Sequence, residues 1–168
     1  MAIKTLQEKF KHGLGDIYDA EHQFLKAMQT MLPEANAPDV KALLTEHIAQ
    51  TAEQITVLEQ VFEVLGEEPE RIKCVGAAGI VTENENTLSE VSGTPALVDL
   101  AIAGGSAKVE HYEIATYRTL IIGAKQMGQT EIAGLLQKNL QQEELTAQKI
   151  EQSAPVLFEK AMSRAASN

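Results

Sequence analysis

Apolar residues recur with the period of about 3.6 expected of helices along most of the chain, and convincing two-residue alternation is missing. The pattern predicts five helical segments and no sheet. The first runs from about Leu6 to Leu32, with an apolar stripe of Leu6, Phe10, Leu14, Ile17, Leu25, Met28 and Leu32. Thr5 and Glu8 have the spacing of a capping box, and Pro33 closes the segment. The second opens at Pro38 and ends at Gly66, with Val40, Leu44, Ile48, Ile55, Leu58, Phe62 and Leu65 on one face. A short helix from roughly Ala77 to Val91 fits the Gly-containing stretch that follows. The next begins at Thr94-Pro95, read as an N-cap and a first-turn proline, and runs to Met127 before Gly128. The last runs from Thr130 to about Ser153, stopping before Pro155, and the tail to Asn168 either adds a short helix or frays.

The connections choose the topology. The first two long helices are joined by a short link, as are the last two, which makes each pair antiparallel. About 28 residues separate Gly66 from Pro95, enough to travel the length of a bundle. The expected fold is therefore all-α: two antiparallel hairpins joined by one long crossover, a ferritin-like four-helix bundle with one short extra helix. A length of 168 residues is expected to make a single domain.

Charged residues interrupt these stripes. Glu21 falls on the inward face of the first helix, Glu110 on that of the helix after Pro95 with Glu113 on its flank, and Glu143 on that of the last helix. On the second helix, His47, Gln50 and Gln54 share one flank, with Glu53 beside them. Buried carboxylates are costly unless compensated. Few basic residues lie on these stripes, Lys108 and Arg118 being the nearest. One or two divalent cations would compensate several carboxylates together, and carboxylate with imidazole suits iron or manganese. Glu21 to Glu53 and Glu110 to Glu143 have nearly equal separations, so matched hairpins would bring them to one level. The candidate metal ligands are Glu21, His47, Gln50, Glu53, Glu110, Glu113 and Glu143. Any single Glu can also be read as a solvated residue on a misplaced stripe, and His47 or His111 as a partly buried histidine bonded to a backbone or side-chain acceptor.

Composition narrows the function classes. The net charge of −10 argues against a nucleic-acid binder and against docking on an anionic membrane. No run approaches 18 apolar residues, the N-terminus lacks a signal-peptide core, and Cys74 has no partner for an internal disulfide, so a cytoplasmic location is expected. Cys74 reads as a small buried residue, and Met28, Met31 and Met127 as core filler. His12 and His22 read as exposed. Gly104-Gly105-Ser106 lacks the context of a phosphate loop and suits close helix packing.

The sequence resembles the YciF-like family of bacterial stress-associated proteins, in the ferritin-like superfamily. The resemblance is carried by Asp16 to Gln23, His47 to Gln54, Lys73-Cys74, Lys108 to Ala115 and Glu143. It implies a ferritin-like bundle, commonly dimeric, with a two-metal centre in which Glu21, Glu110 and Glu143 are ligands. Two positions depart from the pattern: Gln50 stands where relatives have Glu, and Thr146 follows Glu143 where better-known ferritin-like sites have His. The expected function is a stress-related metal-binding protein, with a small oxidant (peroxide or dioxygen) as reactant and a homodimer as the assembly. The alternative is a non-enzymatic dimeric structural or interaction protein with a degenerate or empty metal site. A metal-dependent monooxygenase is a third reading, for which the sequence names no substrate pocket.

Overall fold

The structure is a computed structural model that describes residues 2–165. Its first helix, α1 (Leu6–Met31), starts at the expected capping box: Glu8 N–H donates to Thr5 Oγ1 (3.1 Å), and Thr5 N–H donates to Glu8 Oε2 (3.0 Å). A 3-10 turn over Leu32–Glu34 leads to α2 (Pro38–Leu65). This helix ends at Gly66, whose φ of 72° is left-handed and favours glycine. The crossover contains α3 (Val75–Val91), two residues longer at its start than the sequence predicts, and is followed by α4 (Pro95–Gln126) and α5 (Thr130–Ala165).

Around the bundle, α1 packs on α2 and α4, and α5 packs on α4 and α2. Hydrogen bonds between Gln54 and Asn139 and between Gln50 and Thr146 show α2 and α5 running antiparallel. The helix α3 lies outside the four, against α1 and α4. This is the expected ferritin-like arrangement of two hairpins and one crossover. Residues 166–168, included in the expectation for the tail, lie outside the described residues.

Two close approaches seat the crossover. Ile72 N–H donates to the Gly15 carbonyl (3.0 Å), and a Cβ on Gly15 would lie 2.9 Å from the Glu70 carbonyl oxygen. A Cβ on Gly105 would lie 2.6 Å from Asn84 Nδ2, so glycine there lets the Asn84 side chain of α3 lie against α4. Buried Asp19 anchors the start of α3. It accepts from Cys74 N–H (2.8 Å), Gln23 Nε2 (2.6 Å) and Arg71 Nε (2.9 Å). Burial pushes its pKa up, but these bonds and the Arg71 charge win, leaving it below the usual aspartate value. Asp99 works in the same way from α4, accepting from Asn36 N–H (2.6 Å) and Ala37 N–H (2.9 Å) at the start of α2.

Three local expectations change. The last helix does not stop before Pro155 but carries it inside α5. Proline inside a helix costs about 3 kcal/mol through its missing N–H and ring clash. The continuation buries Leu157 with Val40, Leu44, Val98, Ile102 and Ile150, a contribution of about 2–3 kcal/mol that offsets most of it. Thr94 occupies the N-cap of α4 without making a side-chain cap bond. His12 and His22 are half-buried rather than exposed, His22 edge-on to Tyr18 at 4.8 Å between centroids.

The apolar core is in two pieces. One contains Leu14, Ile17, Phe24, Leu58, Val61, Leu120, Ile132 and Leu136, and the other Met28, Leu44, Val98, Ile102 and Ile150. On α2, buried His47, Thr51 and Gln54 occupy the interval between them; on α4 and α5, Glu110, Glu113, Glu143 and Thr146 fall near the same division.

Candidate metal centre

Helical spacing explains how these side chains meet. Glu110 and Glu113 are one turn apart on α4 and share a face. His47 and Glu143 reach the same space from α2 and α5. One ligand atom from each of His47, Glu110, Glu113 and Glu143 lies within 4.8 Å of the others, and all four residues are buried. Glu21, fully buried on α1, stands beside them, and its Oε1 accepts a short hydrogen bond from the Tyr117 hydroxyl.

Most of the donor atoms have no protein partner. Both carboxylate oxygens of Glu110, Glu113 and Glu143, the second oxygen of Glu21, and both ring nitrogens of His47 are buried without hydrogen bonds. His47 Nε2 and Glu110 Oε1 come within 2.8 Å, but without the alignment of a hydrogen bond. No Lys or Arg is buried among the described residues. Buried polar groups are almost always satisfied; these five adjacent acid and imidazole side chains can be satisfied by a cation or, with none bound, by protons shared within pairs such as Glu110 with Glu143.

The electrostatics agree. Burial, then the neighbouring Glu143 charge, pushes the Glu21 pKa up to about 8. Burial likewise raises Glu110 to about 8, a hydrogen bond with Glu143 pulling it back and repulsion from Glu21 adding to the rise. Glu113 and Glu143 are also held well above the usual carboxylate range, chiefly by burial and then by their acidic neighbours. Burial lowers the pKa of His47, favouring the neutral imidazole that can donate a lone pair. The donor set of imidazole and carboxylates is one that iron or manganese accepts.

Of the seven candidate positions, the structure brings together Glu21, His47, Glu110, Glu113 and Glu143. Gln50 lies one turn from His47, half-buried, where its Oε1 accepts from Thr146 Oγ1 (3.0 Å). Glu53 does not join the cluster. It is exposed, its Oε2 accepting from Gln142 Nε2 at 3.4 Å, because Gln54 holds the inward position on that turn. His111 is also on the surface, 3.2 Å from Glu151.

The surrounding polar shell was only partly anticipated. Asn139 Nδ2 donates to the Tyr117 hydroxyl (2.9 Å) and to the Gln54 carbonyl (3.2 Å), tying α5 to α4 and α2. Burial, then the Glu21 and Glu143 charges, holds the Tyr117 hydroxyl far above its usual pKa, so it stays a donor to Glu21. Asn139 interrupts the apolar stripe of α5 as Glu143 does, and that interruption is the signal that marks it. Outside the centre, buried Cys74 has its sulfur 2.9 Å from the Tyr112 hydroxyl and accepts from Ala77 N–H (3.4 Å), as a cap of α3.

The sequence profile of the family described as Domain of unknown function (DUF892) matches residues 5–163. Protein YciF of Escherichia coli (strain K12) is 33% identical over 147 residues, covering 87% of this chain and 88% of YciF. The solved structure of the E. coli stress protein YciF superposes with a TM-score of 0.88 at 31% identity, covering 94% of this chain and 99% of that one. YcfI from Rhodopseudomonas palustris gives a TM-score of 0.87 at 38% identity, covering 89% and 94%. On these matches, and with the expected helical bundle in place, the chain belongs to the YciF-like DUF892 family.

Proposed function

We propose that this protein binds iron or manganese in the bundle core, as a ferritin-like carboxylate metal protein of the cytoplasm. The observation that carries the reading is the convergence of donor atoms from His47, Glu110, Glu113 and Glu143 within 4.8 Å, nearly all without a protein partner. Glu21 supplies a further carboxylate from α1, oriented by Tyr117. Four converging donors are enough for one ion; Glu21 is the remaining acid available to a second. A bound metal would supply redox and Lewis-acid chemistry toward peroxide or dioxygen. The description of E. coli YciF as a stress protein supports placing that chemistry in a stress response.

The chain's own residues would have three tasks. The carboxylates balance the cation's charge in a dry interior. Tyr117, held by Asn139, fixes Glu21 and keeps a proton at its hydroxyl oxygen. The two apolar core clusters keep bulk water from the centre.

A non-enzymatic dimeric protein with a degenerate site is the second reading. It is favoured by Gln50 and Thr146, which bond to each other rather than offering free ligand atoms. Elemental analysis after purification without chelator, followed by peroxide addition, separates the two. Near-stoichiometric iron or manganese with a spectral change on peroxide addition supports the metal protein. Absent metal, with no spectral change on peroxide addition, supports the other.

A further inference from the structure

We propose that cations reach the centre through the seam between α2 and α5, and that the Gln50–Thr146 hydrogen bond is its gate. This inference rests on the metal-binding reading above. Gln50 and Thr146 each lie one helical turn from a cluster residue, His47 and Glu143, so their bond lies beside the donor atoms. Gln50 is half-buried and Thr146 buried, so the pair spans from the surface to the interior. Inside it the polar line continues. Thr51 Oγ1, Gln54 Oε1 and Asn139 Oδ1 are buried without partners. Outside it, exposed Glu46 and Glu53 are held across the seam by Lys149 (2.5 Å) and Gln142 (3.4 Å). Lys149 neutralises Glu46, which leaves the Glu53 carboxylate, paired only with neutral Gln142, to attract a divalent cation to the opening.

Two of the other sides are more apolar. Between α1 and α4 the buried layer includes Ile17, Ala20, Phe24 and Ile114, and α3 covers it with Cys74 and Ala77. The α4–α5 side also carries surface ion pairs, Arg118 with Glu144 and His111 with Glu151, but Ile114, Leu140 and Ala147 lie in the core clusters of these helices. A partly dehydrated cation needs oxygen atoms along its way, because unsolvated charge in an apolar layer is costly. The α2–α5 seam provides them from surface to centre.

A gate alters the rate of passage in both directions and leaves the equilibrium unchanged; a ligand alters the equilibrium. The test uses manganese(II) as the probe, with uptake followed after rapid mixing by loss of the free-ion paramagnetic signal, and release followed after chelator addition. The double variant Gln50→Leu plus Thr146→Val makes the seam apolar while keeping approximate volume. It is expected to slow uptake and release alike, by about tenfold, with the dissociation constant unchanged. Thr116→Val, in the groove between α1 and α4, is expected to leave both rates at the parental value. Unchanged rates in the double variant overturn the gate, as does a weakened affinity without slower uptake, or slowing by Thr116→Val instead. In those cases Glu110→Gln still abolishes parental binding and the metal-binding reading stands. A parent protein that takes up no manganese overturns both.

Discussion

Replacing Glu110 with Gln should make the metal-free protein more stable, in a way that depends on pH. The Glu110 carboxyl is raised from 4.5 to about 8 by burial and by its acidic neighbourhood. A carboxyl whose folded pKa lies above its unfolded value contributes most stability below the unfolded pKa. That contribution is lost as pH rises toward the folded pKa. Between pH 4.5 and 7.5 the loss accumulates at about 1.4 kcal/mol per unit, reaching about 4 kcal/mol. Gln keeps the shape and does not titrate. In chelator at pH 7.5 the variant should therefore gain up to about 4 kcal/mol, or about 8–16 °C in Tm for a chain of this size. At pH 4.5 the gain should vanish. Manganese narrows the gap: it adds about 2.7 kcal/mol to the parent at a hundred times its dissociation constant and about 4 kcal/mol at a thousand times, which closes it, and it adds little to the variant. Calorimetric melting of both proteins at the two pH values, with chelator and with manganese, checks all four points. An equal effect at both pH values, or no gain at pH 7.5, would refute the argument that Glu110 is a buried acid awaiting a cation.

Other outcomes follow from the same contacts. Tyr117→Phe removes the donor to Glu21 and leaves Asn139 one partner short; it should cost about 1–3 kcal/mol by chemical denaturation and weaken manganese binding. Asp19→Asn, at the anchor of the crossover, should cost about 1.5–3 kcal/mol near neutral pH. Because the Asp19 pKa is lowered, the cost should shrink as pH falls through the acidic range, and hydrogen exchange should quicken first at the start of α3. Manganese binding should release protons near neutral pH, since Glu21 and Glu110 are raised to about 8, and apparent affinity should rise with pH up to that value; isothermal calorimetry in buffers of different ionisation enthalpy reads the count.

Much of the centre was legible because a carboxylate in an apolar stripe is conspicuous. Glu21, Glu110 and Glu143 each occupy a position where the helical period demands a hydrophobe, and each is buried. The second long helix was harder to read. His47, Gln50, Thr51 and Gln54 make one face of α2 broadly polar, so the period alone did not separate inward Gln54 from outward Glu53, about 100° further round. The matched spacing of Glu21 to Glu53 was misleading for the same reason: the α2 member of the cluster is His47. Pro155 shows burial overriding a local stop signal, since Leu157 lies in the core beyond it. Asp19 and Asp99 cap segments more than fifty residues away, and no local pattern announces such partners.

The central claim is that the acidic cluster exists to hold a metal. Anomalous diffraction at the iron and manganese edges, from crystals of protein purified without chelator, tests it most directly. The account predicts a peak bounded by His47, Glu110, Glu113 and Glu143, with their carboxylate oxygens turned toward it. Ordered carboxyls protonated and bonded to one another, with no peak at either edge between them, would contradict it.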